Sequence, residues 1–200
     1  LPPSGAEGCS SPRTSSAVPE LLDEATMLRA LRLVGDKLAR QGKRAEIYIF
    51  GGSCMVLAFK SRPATREIDA IFEPDTEVHL AAVEVAAELG LPRYWLNNQA
   101  SVYLSRLSDD GKQLVLDEPG IRAFASSGEF AFAMKVLAGR RLHDSRDIDF
   151  LARKLGIRTV DEAMAVVHRA YPDADLTAHA RLLVEDILAE IRRDPGPPAQ

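Results

Sequence analysis

The chain has little cysteine, no long apolar run and no marked excess of charge of either sign. Two cysteines in 200 residues, Cys9 and Cys54, are too few for a disulfide framework, which points to a reducing cytoplasm. No apolar run approaches the ~20 residues that a membrane-crossing helix requires. The N-terminal stretch is polar and proline-bearing, without a basic segment followed by an apolar one, so it does not read as a signal peptide. Lys and Arg number 25 against 29 Asp and Glu, a formal charge of -4, so the chain as a whole does not announce a nucleic-acid binder, and only a local basic patch is left open. His79, His168 and His179 fall in helical stretches without metal-ligand spacing, and no internal repeat is present. The single tryptophan, Trp95, is read as a packing residue rather than a base-stacking platform.

What is present is an ordinary globular composition, 46% hydrophobic and 27% charged, over a length that suits one domain or one domain with a helical extension. Residues 1–18 are rich in Ser, Pro and Gly and are expected to be a disordered leader; 194–200 are expected to be a similar tail. Leu21, Ala25, Leu28, Leu31, Val34 and Leu38 recur at three and four residues, which predicts a helix from Pro19 to Arg40. Strands are predicted over Glu46–Phe50 and Glu67–Phe72, and helices over Ser53–Lys60 and Thr76–Leu89. Short strands follow over 101–107, Gln113–Asp117 and Ile121–Ala125, separated by Asp109-Asp110-Gly111 and Pro119-Gly120 turns. Helices are expected near 128–141, 145–155, 159–170 and 175–192. The expected fold class is therefore α+β: a small mixed sheet flanked by helices over 19–126, then a helical C-terminal part over 127–193.

Two features carry chemistry. Ile49-Phe50-Gly51-Gly52-Ser53 joins a strand to a helix, where glycines allow a tight turn and close approach of a ligand, and where unpaired N–H groups suit a phosphate. Ser53 can add a hydroxyl or simply cap the helix. Beyond an interval of thirteen residues after Ser53, Glu67 and Asp69 stand two apart on a strand, so their carboxylates share one face while Ile68, Ala70 and Phe72 take the other. Adjacent carboxylates repel, and magnesium, which takes one or two carboxylates together with substrate phosphates, removes the conflict. A solvated strand face with both acids wet is the plain alternative.

This composite of hydrophobic-Gly-Gly-Ser, short helix and Glu-Ile-Asp-Ala strand resembles the signature of the nucleotidyltransferase superfamily related to DNA polymerase beta. Arg62, Thr65-Arg66, Leu91-Pro92, Trp95-Leu96-Asn97, Ala133-Met134-Lys135-Val136-Leu137-Ala138-Gly139-Arg140 and His143-Asp144-Ser145-Arg146-Asp147-Ile148 extend the likeness to the bacterial branch that includes the AbiEii-like toxins. The first acid is Glu67 where the superfamily commonly carries Asp. The resemblance implies that Glu67 and Asp69 bind one or two magnesium ions, that Gly52 and Ser53 hold the phosphates of an NTP substrate, and that Arg66 pairs with phosphate or with a neighbouring acid. It implies transfer of a nucleoside monophosphate to an acceptor, RNA and in particular tRNA, by the toxin of a toxin–antitoxin system with a cognate antitoxin protein. Phosphorylation of Ser53 would then block the nucleotide phosphates.

Lys135 lies in an otherwise apolar stretch, Phe130–Leu137, and needs either a carboxylate partner or a route to the surface. The resemblance makes Lys135 and Asp147 an essential pair. By position alone, Asp144 and Asp147 read as an N-cap and the third residue of a capping box. Asp117 is the candidate third carboxylate, although Asp117-Glu118-Pro119-Gly120 also reads as a turn. Arg140, Arg141, Arg153, Lys154 and Arg158 are candidates for a basic patch. Two rival readings remain: a non-catalytic relative that binds a nucleotide or a protein, and a small-molecule nucleotidyltransferase that uses Asp109, Asp110, Asp117 and Glu118 to receive a cationic substrate.

Overall fold

A computed structural model describes residues 21–99 and 108–194; the expected leader, the strand over 101–107 and all but the first residue of the expected tail lie outside the described residues. Helix α1 spans Glu24–Arg40 and buries Met27, Ala30, Leu31, Val34 and Leu38. It starts later than its periodicity implies. Asp23 takes the N-cap position and accepts a hydrogen bond from the Thr26 N–H at 2.8 Å, and Leu22–Asp23 (β1) pairs with Ala64–Thr65 (β3). The local cap, not the apolar spacing, sets the boundary.

The central sheet is built from Ala45–Phe50 (β2), Ile68–Glu73 (β4), Leu96–Asn97 (β5), Gln113–Glu118 (β6) and Ile121–Ala125 (β7) in the order β5-β4-β2-β7-β6. It is mixed: β2 runs antiparallel to β4 and parallel to β7, β4 is parallel to β5, and β6 closes an antiparallel edge on β7. The short helix α2 (Gly51–Leu57) leaves β2 directly, and α3 (Asp75–Leu89) follows β4. Strand alternation then sorts the side chains into two cores. Ile47, Ile49, Ile68, Ala70 and Phe72 join α1 and α3 on one face, where Trp95 is fully buried and donates its indole N–H to the Ala82 carbonyl at 2.9 Å.

On the opposite face Tyr48 and Phe50 meet the C-terminal helices α4 (Gly128–Ala138), α5 (Arg141–Leu155), α6 (Val160–Ala170) and α7 (Ala178–Arg193). Three of these helices start on a side-chain cap: Ser127, Thr159 with Glu162 as a capping box, and Thr177. Helix α5 does not. It begins at Arg141 with Arg140 at the cap position and no side-chain cap bond, so Asp144 lies inside the first turn rather than capping it. The architecture is the mixed α+β fold expected, with helices making up the C-terminal half. Among the described residues no helix is long and apolar enough to cross a membrane.

One contact fixes α1 on the sheet. The β6–β7 turn meets α1 so closely that a Cβ on Gly120 would stand 1.9 Å from the Gly35 carbonyl oxygen and 2.8 Å from the Ala39 nitrogen. Backbone cannot yield there as a side-chain tip could. Gly120→Ala is expected to lower stability by about 1–3 kcal/mol through overpacking, read as a fall in the midpoint of urea unfolding with an unchanged slope.

Candidate functional site

The β4 strand alternates as its sequence implies: Ile68, Ala70 and Phe72 are buried, while Asp69, Ile71 and Glu73 face the other way. That outward face is the one the C-terminal helices cover over β2 and β7 but leave open over β4 and β5. A cleft of about 380 Å³ results, lined by Phe50, Gly51, Glu67, Asp69, Asn97 and Arg140 among others. Both carboxylates sit in it. Asn97, which the sequence offers only as part of a motif with no role of its own, donates its amide to Glu67 Oε2 at 3.1 Å from the adjoining strand β5.

Gly51 explains how the acid and the turn come together. Its φ is +68°, and an added Cβ would lie 2.6 Å from Asp69 Oδ2. Position 51 therefore requires glycine on both counts. The expected phosphate-holding pair is arranged differently. Ser53 is fully buried, and its hydroxyl donates to the Phe50 carbonyl at 2.8 Å. Gly52 backs onto Thr65, whose Oγ1 would be 2.9 Å from a Cβ there. The residue of the turn that lines the cleft is Gly51. Burial also keeps the Ser53 hydroxyl from a modifying enzyme. Arg66 is exposed and lines neither this cleft nor the neighbouring one.

Lys135 is buried on α4 and lies between two buried aspartates of α5, with Nζ 3.0 Å from Asp144 Oδ1 and 2.6 Å from Asp147 Oδ2. The pairing of Lys135 with Asp147 is present, and Asp144 joins it as a partner in place of its expected capping role. Two arginines complete the network. Arg62 donates from Nε and Nη2 to the two oxygens of Asp147 at 2.7 and 2.5 Å, and Arg140 Nε donates to Asp144 Oδ2 at 3.0 Å. Positive and negative groups alternate as Arg62, Asp147, Lys135, Asp144 and Arg140. Lys135 does not line the carboxylate cleft; it lies behind it with its ammonium committed to two carboxylates.

The electrostatics at Asp69 follow from this layout. Burial first and the Glu67 charge second, against the opposing pull of Arg140 and Lys135, together raise its carboxyl from an ordinary 3.8 to about 6. Cys54, buried beneath the turn, has its thiol pushed up to about 11, chiefly by burial, which makes it inert as a nucleophile.

The remaining sequence candidates lie elsewhere. Asp117 ion-pairs with Arg44 and, at 3.1 Å, with Arg122. In register it shares a row with Arg122, Glu46 and Glu73, whereas Asp69 pairs with Phe50. Four residues of strand separate the rows, roughly 13 Å, so Asp117 is at the far end of the sheet from the cleft. Asp109 accepts from the Tyr48 hydroxyl at 2.6 Å and the Ser127 N–H at 2.8 Å, which commits it to holding the start of α4. The basic residues do not gather into one patch. Arg141 and Arg153 lie about 18 Å apart along α5, and Arg153 pairs with Asp149 at 3.0 Å.

Two carboxylates with a neighbouring amide suit magnesium, which binds through one or two carboxylates and keeps its other positions for water and substrate phosphate. The described residues hold no group of three or more His, Cys, Asp or Glu side chains arranged for a metal ion. Glu67 and Asp69 would supply two carboxylate ligands to such a metal, with its other positions left to water and substrate.

Asp69 gives a test independent of activity. Its folded value lies above its ordinary one, so the folded chain holds a proton that the unfolded chain has released between pH 3.8 and about 6. Stability from this group is present below that window and lost as pH rises through it. Asp69→Asn is therefore expected to raise the Tm of the metal-free protein by several degrees at pH 7.5, with the gain vanishing below about pH 4; an unchanged or lower Tm at pH 7.5 would contradict the burial described.

Comparison of the chain with protein-family models, with curated proteins and with solved structures gives no match.

Proposed function

We propose that this protein is a magnesium-dependent nucleotidyltransferase that moves a nucleoside monophosphate from an NTP to an acceptor, with RNA, in particular tRNA, as the acceptor in a toxin–antitoxin system. The observation that carries the transferase reading is the meeting of Glu67 and Asp69 with the Gly51 turn in one cleft, with Arg140 beside them; the RNA acceptor and the toxin–antitoxin setting rest on the sequence resemblance. A pair of repelling acids kept at a partly dry site calls for a cation, and an arginine next to that cation calls for an anion.

The reaction balances as an in-line displacement. The acceptor hydroxyl oxygen bonds to the α-phosphorus, the bond from that phosphorus to the bridging oxygen breaks, pyrophosphate leaves with the electron pair, and the hydroxyl proton passes to solvent. Magnesium held by Glu67 and Asp69 supplies charge neutralisation for the triphosphate. Arg140 adds a guanidinium at the rim for phosphate oxygens. Gly51 leaves room for the substrate to approach backbone. Lys135, held by Asp144 and Asp147, supports Arg140 through Asp144 and contributes positive potential from behind the cleft rather than a direct grip. Asn97 orients Glu67, the more exposed and longer-armed of the two acids.

A second reading, a relative that binds nucleotide without transferring it, is favoured by one observation: the candidate third carboxylate, Asp117, lies at the other end of the sheet. The small-molecule reading is disfavoured, because Asp109 and Asp117 are engaged in structural contacts away from the cleft.

The deciding experiment supplies magnesium, each α-labelled NTP in turn, and either total RNA or a panel of cationic small molecules. Label in RNA is expected, with Asp69→Asn reducing transfer more than about a hundredfold. Nucleotide binding without transfer from any NTP would replace this reading with the second. Because the metal needs the ionised acid, magnesium affinity measured by calorimetry is expected to climb about tenfold per pH unit below pH 6 and to level off above it; a flat profile from pH 5 to 8 would exclude Asp69 as a ligand.

A further inference from the structure

A second, larger cleft opens on the other side of the Lys135 network. It has a volume of about 800 Å³ and lies between the loop Ser61–Ala64 and the first two turns of α5. Arg62, Arg141, His143, Arg146, Asp147 and Glu190 line it. In a chain of net charge -4, three guanidinium groups around one concavity are a local reversal of sign.

Two of these arginines are held in ion pairs, and the third is in none among the described residues. Asp147 is buried and already shared between Lys135 and Arg62. Arg62 uses Nε and Nη2 on Asp147 and on the His143 carbonyl at 3.0 Å, while its Nη1 comes near the glycine turn, 3.8 Å from where a Cβ on Gly52 would stand. Arg141 pairs with Asp186 at 2.7 Å through Nη1. Arg146 is exposed with no ion pair among the described residues, and Glu190 is the one lining carboxylate left to oppose an anion. Guanidinium groups that line one concavity from two elements match an oxyanion presenting several oxygens, which a phosphate does.

We propose that this second cleft binds a phosphate group of the acceptor substrate. The proposal rests on the transferase reading for the word acceptor, and on the geometry alone for the phosphate. Arg62 and Arg140 give the connection: one lines this cleft, the other lines the carboxylate cleft, and both are anchored on the same alternating network. An acceptor phosphate is held by Arg146, with the ion-paired Arg62 and Arg141 adding positive charge to the lining of the same cleft. The phosphate belongs either to a nucleic-acid strand or to a small organophosphate.

The test uses the full chain without magnesium and two probes: a fluorescein-labelled single-stranded oligoribonucleotide of about ten nucleotides, read by anisotropy, and glycerol phosphate, read by calorimetry. Two exposed positions are reversed in opposite senses. Arg146→Glu is expected to weaken binding at least tenfold and to lower the salt slope of oligonucleotide binding by about one, and Glu190→Gln is expected to tighten it several-fold, with Tm unchanged in both. Strand binding with weak glycerol phosphate binding identifies a nucleic-acid source; the reverse identifies a small organophosphate. Binding of neither probe, or binding indifferent to both substitutions, overturns the proposal. A fluorescent ATP analogue with magnesium is titrated in parallel. If it fails to bind while the Arg146 and Glu190 effects hold, the transferase reading falls and the phosphate site stands.

Discussion

The Lys135 ammonium, enclosed by Asp144 and Asp147, is the interaction on which the rest of the site depends. A lysine in the apolar helix α4 has no water to solvate it, so α5 must bring carboxylates to it. Both aspartates lie one turn apart on α5, which fixes the rotation of that helix about its axis as well as its distance from α4. With the rotation set, Arg140 is delivered to one cleft while Arg141 and Arg146 are delivered to the other. Arg62 then closes the network from the loop before β3, tying the first half of the chain to the last.

The second determinant is the alternation of β4. Its apolar residues commit one face to α1 and α3, so Asp69 and the preceding Glu67 are left on the face where α4 through α7 pack. Those helices cover β2 and β7 and stop short of β4. Asp69 is thus neither in open water nor sealed in the core, and this intermediate setting both raises its carboxyl and leaves room for a ligand beside the exposed Glu67.

Much of this was legible in the chain. Period-two alternation in Glu67–Phe72 and three-to-four spacing in α1 report which side chains are buried, because burial is what those patterns encode. The glycine turn and the need of Lys135 for a partner were equally readable, since both express local penalties. What was not legible depended on through-space register. Asp117 follows a strand as Asp69 lies on one, but β6 runs so that its acid falls at the other end of the sheet. Asp144 looks like a cap because sequence shows only its neighbours along the chain, whereas a buried ammonium nine residues earlier draws it inward. Arg62 and Asn97 reach their partners from 85 and 30 residues away, and no spacing rule connects such positions. The presumed basic patch dissolves for the same reason: residues at the two ends of one helix are near in sequence and far in space.

The alternating charge network has a further consequence for how this protein can vary. Deleting one member strands a buried partner, at a cost of about 3–5 kcal/mol, against total stabilities of about 5–15 kcal/mol for folded domains. Lineages descending from this sequence can drift freely at Arg66, which is exposed, and one step at a time along the outer face of α7. At Lys135, Asp144 and Asp147 they can move only by exchanging two or three positions together. The interior of the site is inherited as a block.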